Sequence, residues 1–269
     1  MDQFFSQYFD IDFMSKHFDQ VLSGFGTTML LWAVSGALAL IWGLILSLLR
    51  QVPGRAGLIV RIPAIAYIDA FRGIPLLMVI LLIYGGFGAL SSSNATPGPI
   101  PESIAVPDWF GKPSAFWYGV MALVITYGAY MAEVYRAGIE SVPDGQTEAA
   151  RSLGMSHGQT LRYVIVPQAV RRVIPPLLND LIALMKDTSL VSFISLSEVV
   201  LVGTDLQSKT FNSSALTLGA IFFLLVTLPL ARIVDWLIAR DQRKTSRGGR
   251  PPAEPQTVAA NTGLAGGST

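Results

Sequence analysis

Five apolar runs dominate this sequence, at residues 22–49, 67–90, 115–135, 177–202 and 215–238. Each is close to or above the roughly 20 residues that a helix needs to cross a hydrocarbon layer about 30 Å thick. The chain has 51% hydrophobic and only 14% charged residues, so lipid is the solvent for most of it. The expected fold class is an all-α membrane protein with five transmembrane helices.

Charge placement orients those helices. Arg50, Arg55 and Arg61 follow the first run; Arg136, Arg151, Arg162, Arg171 and Arg172 lie between the third and fourth; Arg240, Arg243, Lys244, Arg247 and Arg250 follow the last. The opposite side has only Lys16, Lys112 and Lys209. The positive-inside rule then predicts a multi-pass protein with its N-terminus outside and its C-terminus in the cytoplasm, which an odd number of spans allows. The net charge of +1 says little beside this asymmetry.

The first run follows Asp2, Asp10, Asp12 and Asp19 instead of a basic stretch, and it is too long for a signal-peptide core, so a retained helix is expected. Residues 1–21, with Phe4, Phe5, Phe9, Phe13 and Phe18 among polar groups, read as an extracytoplasmic amphipathic segment on the outer membrane surface. Gly85, Gly86 and Gly88 are expected to end the second span. The segment 91–114 holds Pro97, Pro99, Pro101, Pro107 and Pro113, the composition of a surface connector. Residues 241–269 read as a disordered cytoplasmic tail whose basic cluster touches anionic lipid. The domain between, 22–240, shows no internal repeat.

Site chemistry is limited by what is missing. The chain has no cysteine, and His17 and His157 are far apart in sequence, so no catalytic residue, metal site or cofactor is expected. Gly24-x-Gly26 lacks a third glycine and a preceding strand, and no Walker lysine pattern occurs, so a P-loop for ATP is not expected either.

The polar segment between the third and fourth runs, about 141–167, carries its own start and stop signals. Ser141 stands before Pro143 and Asp144 with capping-box spacing, and Gly154 suits a left-handed helix end. Ser156 with Gln159 forms a second box, and Pro167 is expected to close the run. Two short helices joined at Gly154 follow from this. Ala149 and Ala150 offer a small surface for close approach, and Glu148 an anionic anchor. The same spacing also fits an ordinary cytoplasmic loop with two surface helices.

Glu148-Ala149-Ala150-x-x-x-Gly154, followed by Val164-x-Val166-Pro167, resembles the coupling motif of permease subunits of ABC importers. Three further segments resemble the polar amino acid branch, the histidine/glutamine/glutamate/arginine permeases. They are the run from Tyr67 to Leu77 (YIDAFRGIPLL), Glu133-Val134-Tyr135-Arg136-Ala137-Gly138-Ile139 with Pro143-x-Gly145-Gln146, and Lys186-Asp187-Thr188-Ser189-Leu190. Val164 and Val166 replace the more usual Ile and Leu, and Met185 stands where Leu is commoner. The resemblance covers about 23–239. It implies a type I, MetI-like permease fold in a bacterial cytoplasmic membrane. It also implies partners: ATP-binding subunits gripping Glu148, Ala149, Ala150, Gly154 and Pro167, a second permease subunit of the same or a related kind, and an extracytoplasmic solute-binding protein. No nucleic acid partner is implied, and ATP hydrolysis belongs to the partner.

A charge at the bilayer centre costs about 2.5 to 3.5 kcal/mol on insertion scales, so ionisable groups inside spans face protein or water. Asp69 and Arg72 lie about one turn apart and could pair on one face, and Pro75 is expected to break the helix just beyond, exposing backbone groups able to hold a zwitterion. Lys186, Asp187, Thr188, Ser189 and Glu198 make the fourth span too polar to face lipid all round. With Glu133 near the inner end of the third, these residues are candidates for the translocation pathway or for substrate contact. Structural pairing is the competing reading for Asp69, Arg72, Lys186 and Asp187, a hydrated surface position is that for Glu133, and Arg232 and Asp235 read as structural residues that snorkel to the inner interface.

The expected function is an ATP-driven importer of a polar amino acid, with a weak lean to glutamate. An ion-gradient-driven secondary transporter, with Asp69, Lys186 and Asp187 as relays, is the alternative; it calls for repeats within the chain.

Overall fold

The computed structural model describes residues 2–55, 57–91 and 107–248. Among the described residues every regular element is helical. Two short helices, α1 (Asp2–Tyr8) and α2 (Ile11–Lys16), lead into α3 (Phe18–Arg50). After α4 (Leu58–Gly73) and α5 (Leu76–Ser91) comes α6 (Ser114–Glu140), then the short α7 (Asp144–Ser152) and α8 (His157–Thr160). A π turn, Leu161–Ile165, joins α8 to α9 (Val166–Asp187), and a 3₁₀ segment, Thr188–Ile194, precedes α10 (Val199–Thr210) and α11 (Ser214–Gly248).

Three helices, α3, α6 and α11, are long and apolar enough to cross a membrane, and two bent pairs raise the total to five. The first bend falls where Pro75 is expected to break the helix, and the second is not expected. α4 and α5 meet at 109°. Pro75 forces Ile74 into extended backbone (φ −91°, ψ 130°), so the helix ends before the proline and restarts after it. The fourth span is bent by 51° between Ile194 and Val199, where Ser195 takes a left-handed conformation (φ 64°).

Other boundaries shift as well. α3 starts at Phe18, so the boundary expected after residue 21 falls one turn inside it, and α11 runs on to Gly248, past the boundary expected after 240. Gly85, Gly86 and Gly88 lie within α5 instead of ending it. The prolines at 97, 99 and 101 and residues 249–269 of the expected tail lie outside the described residues.

α6 is the central post. In its membrane-length window 72% of residues are buried, against 33% in α3 and 22% in α11. Its approach to α3 depends on small residues: a Cβ on Gly128 would stand 2.5 Å from Trp42, and one on Gly43 2.8 Å from Met131. The main core packs Phe116, Leu123, Tyr127 and Met131 of α6 with Leu31 and Ala39 of α3, Ile80 of α5 and Leu184 of α9. A second core joins Val21 and Phe25 of α3 to Met185, Val199, Leu206 and Phe222.

Candidate functional site

The segment between α6 and α9 is a hairpin standing off the helical body. α7 carries Glu148, Ala149 and Ala150; the first two are exposed and Ala150 is buried against the rest of the hairpin. Among the described residues no ion pair holds the exposed Glu148 carboxylate. Gly154 adopts φ 83°, as its position predicts, with its N–H donating to Arg151 O at 2.9 Å. Leu153 beside it is 84% exposed, an apolar contact point that the sequence reading missed.

Two of the expected hairpin signals are revised. Ser141 caps nothing at α7, whose N-cap is Pro143; its hydroxyl bonds back to Gly138 O and so belongs to the end of α6. Pro167 does not stop the run. It lies in helical backbone just past the π turn, where its missing N–H removes one bond of the ladder without ending it, and it is exposed. The second capping box is present: Gln159 N–H donates to Ser156 Oγ at 3.3 Å and Ser156 N–H to Gln159 Oε1 at 2.9 Å. The chain therefore runs from α8 through the π turn into α9 without a stop.

Clamps tie this hairpin to the spans. Arg172 of α9 donates to Ser141 O, and Gln168 Nε2 lies 3.5 Å from Gln146 Oε1 of α7. Val173 packs into the space left by Gly138. Between the end of α6, α7 and α8 lies a cavity of about 430 Å³, lined by Glu140, Asp144, His157, Leu161 and Ile165 among others.

Further along α9, polar groups gather in the middle of the bundle. Tyr127 of α6 donates to Asp187 Oδ2 at 2.7 Å, and Tyr130, 5.9 Å from it ring to ring, points its hydroxyl at Arg72 O of α4 at 3.4 Å. This chain of contacts brings the end of α4, the middle of α6 and the end of α9 together. The side chains of Lys186, Asp69 and Arg72 are exposed. Among the described residues Asp69 and Arg72 form no ion pair with each other, and neither Lys186 nor Asp187 has an ionic partner. Ser189 Oγ donates to Lys186 O at 2.7 Å and the buried Thr188 to Met185 O at 2.6 Å, so both hydroxyls shape the 3₁₀ segment. Tyr127 and Tyr130 were not singled out from the sequence, because a tyrosine in an apolar run looks like any core aromatic.

Glu198 lies apart from this cluster, and Glu133 stands at its edge within electrostatic reach of Arg72. Glu133 bonds Arg50 of α3 at 2.8 Å and also Arg136, which reaches Glu140, so an ionic chain closes the C-terminal ends of α3 and α6. Glu198 is completely buried, and its Oε1 accepts from Val200 N and Leu201 N at 2.9 Å each as the N-cap of α10. Its Oε2 is 3.4 Å from Thr28 Oγ1 of α3. Among the described residues no cluster of metal-ligating side chains occurs.

Helices that cross a membrane, two of them broken, around a polar cluster and above a capped hairpin, define the class: a membrane-embedded transport subunit. Residues 39–243 match the binding-protein-dependent transport system inner membrane component family, and the chain belongs to that family. It is 34% identical to the octopine transport system permease protein of Rhizobium meliloti, over 89% of this chain and 94% of that one. It is 35% identical to the glutamate transport system permease protein of Corynebacterium glutamicum, over 78% and 89%. Among solved structures, an amino acid ABC transporter chain superposes with TM-score 0.71 at 32% identity, over 84% of this chain and 96% of that one. A methionine ABC transporter chain superposes with TM-score 0.64 at 16% identity, over 84% and 97%, which speaks to the fold.

Proposed function

We propose that this chain is the permease subunit of an ATP-driven importer that moves a polar amino acid across a bacterial cytoplasmic membrane, with glutamate the first candidate to test. The observation that carries the reading is continuity. The hairpin bearing Glu148, Ala149, Ala150 and Gly154 runs through Pro167 into α9, which is about 33 Å long at 1.5 Å per residue, carries Pro175 and Pro176 inside it, and ends at Lys186 and Asp187. A push on the hairpin is therefore passed along helical backbone from Ser156 to the polar cluster.

In this reading ATP-binding subunits grip α7 through the exposed Glu148 carboxylate and Leu153, and hydrolysis takes place on those subunits. Asp69, Arg72, Lys186, Asp187 and Ser189 face the pathway, because four charges without an ion-pair partner inside the spans are too costly to face lipid. A second permease subunit, identical or related, supplies the other wall, and an extracytoplasmic solute-binding protein delivers the amino acid. The N-terminus lies outside and the C-terminus in the cytoplasm. Thr188, Glu198 and Glu133 hold the frame.

The test is to purify the complex with the ATP-binding subunits encoded beside it and measure ATP hydrolysis on adding the solute-binding protein loaded with each polar amino acid in turn. Stimulation by one or a few amino acids is expected. Hydrolysis indifferent to every loaded binding protein would reject the reading.

A further inference from the structure

We propose that the aromatic surface of α1, together with the turn between α10 and α11, is a foot that rests in the headgroup layer of the bilayer. Phe4, Phe5 and Phe9 are 54%, 55% and 49% exposed, yet they form one cluster with ring centroids 5.8 to 6.2 Å apart, and Tyr8 stacks on Phe4 at 4.9 Å. An exposed apolar cluster of this kind marks a surface meant to be covered.

The polar side of the same segment is already used. Ser213 N–H donates to Gln7 O at 2.7 Å, Asp10 N–H to Ser214 Oγ at 3.0 Å, and Asn212 Nδ2 to Ser6 O at 3.3 Å. These bonds press α1 onto the start of α11 and leave the rings without a partner. A second observation comes from the turn itself: Phe211 is 83% exposed and held at φ 55°, a left-handed conformation in which glycine or asparagine would be relaxed. A bulky aromatic kept in a strained position at the surface has a use for its ring.

Lipid is the occupant that the location favours. α1 and α2 lead directly into α3, and the clamp holds the other side to the first residues of α11, so the rings stand where two membrane-crossing helices enter the bilayer. Aromatic rings are at home at that boundary, where one side is apolar and the other wet. α1 carries no lysine or arginine, so ring insertion and not attraction to anionic lipid holds the foot in place.

The absence of native cysteine makes the test clean. Phe5→Cys, Phe9→Cys and Asp12→Cys would each carry a nitroxide in the full chain, assembled with its partner subunits in phosphatidylcholine vesicles. Labels at 5 and 9 are expected to relax several-fold more with oxygen than with a water-soluble nickel chelate, and the label at 12 to show the reverse, with no change when phosphatidylglycerol is added. Labels at 5 and 9 that favour the nickel chelate would overturn the proposal, as would shielding that appears only on adding the solute-binding protein. The readout is position in the membrane, so it stands or falls separately from transport.

Discussion

The hydroxyl of Tyr127 donates to Oδ2 of Asp187 across 2.7 Å and so fastens the middle of α6 to the last residue of α9. No other hydrogen bond or ion pair holds the Asp187 side chain among the described residues. Tyr127→Phe removes the donor and leaves a half-buried carboxylate unpaired, at a cost of about 1–3 kcal/mol. The expected result is a lower melting temperature in detergent and several-fold slower uptake. Asp187→Asn keeps an acceptor, so it should recover most of the stability but not the uptake. Equal stability of Tyr127→Phe and the parent would show that the bond does not matter.

Close packing of α6 against α9 hinges on Gly138. A Cβ there would stand 2.0 Å from Val173 Cγ1, so Gly138→Ala forces the two helices apart and is expected to cost about 1–3 kcal/mol. Trimming the opposing residue in Gly138→Ala/Val173→Ala should return much of that loss. Thermal unfolding of the single and double variants decides it; a double variant no better than the single would refute the packing argument.

Glu198 is expected to matter for the frame and not for the cargo. Removing the cap of α10 in Glu198→Ala should cost about 1–2 kcal/mol and lower the melting temperature. Glu198→Gln retains a side-chain oxygen for Val200 N and Leu201 N and should be milder. Both should leave the preference among amino acids unchanged in competition uptake assays, and a changed preference would place Glu198 in the pathway after all.

Gly154 has open space around its missing Cβ, so substitution there is felt by the backbone alone. Gly154→Ala at φ 83° should cost about 1–2 kcal/mol, and Gly154→Asn less, because asparagine tolerates the left-handed region. Hydrogen exchange across the hairpin is the measurement. Faster exchange in α7 for Ala than for Asn is expected, and the opposite order would contradict the assignment.

Hydropathy and charge made the five crossings legible, because span length and arginine placement are properties of the solvent and need no tertiary contact. The break at Pro75 was legible for a similar reason: a proline acts on its own neighbours. The bend at Ser195 was not, since a left-handed serine followed by a capping glutamate looks in sequence like polar residues lining a pore. Pro167 misled because a proline can stop one helix or start another, and only the continuation into α9 tells which. Tyr127 and the Arg50–Glu133 bridge rest on partners 60 and 83 residues away, and no local pattern marks such pairs.

The source of the driving force is where the account is most exposed. Uptake should be measured in proteoliposomes holding both permease subunits and the ATP-binding subunits, with ATP inside or with an imposed proton or sodium gradient and no ATP, for the parent and for Glu148→Lys. ATP alone should drive uptake in the parent. Glu148→Lys should assemble yet transport roughly tenfold more slowly, as expected for about 1.4 kcal/mol lost at one docking contact. Uptake driven by the gradient without ATP, or Glu148→Lys transporting at the parental rate, would contradict it.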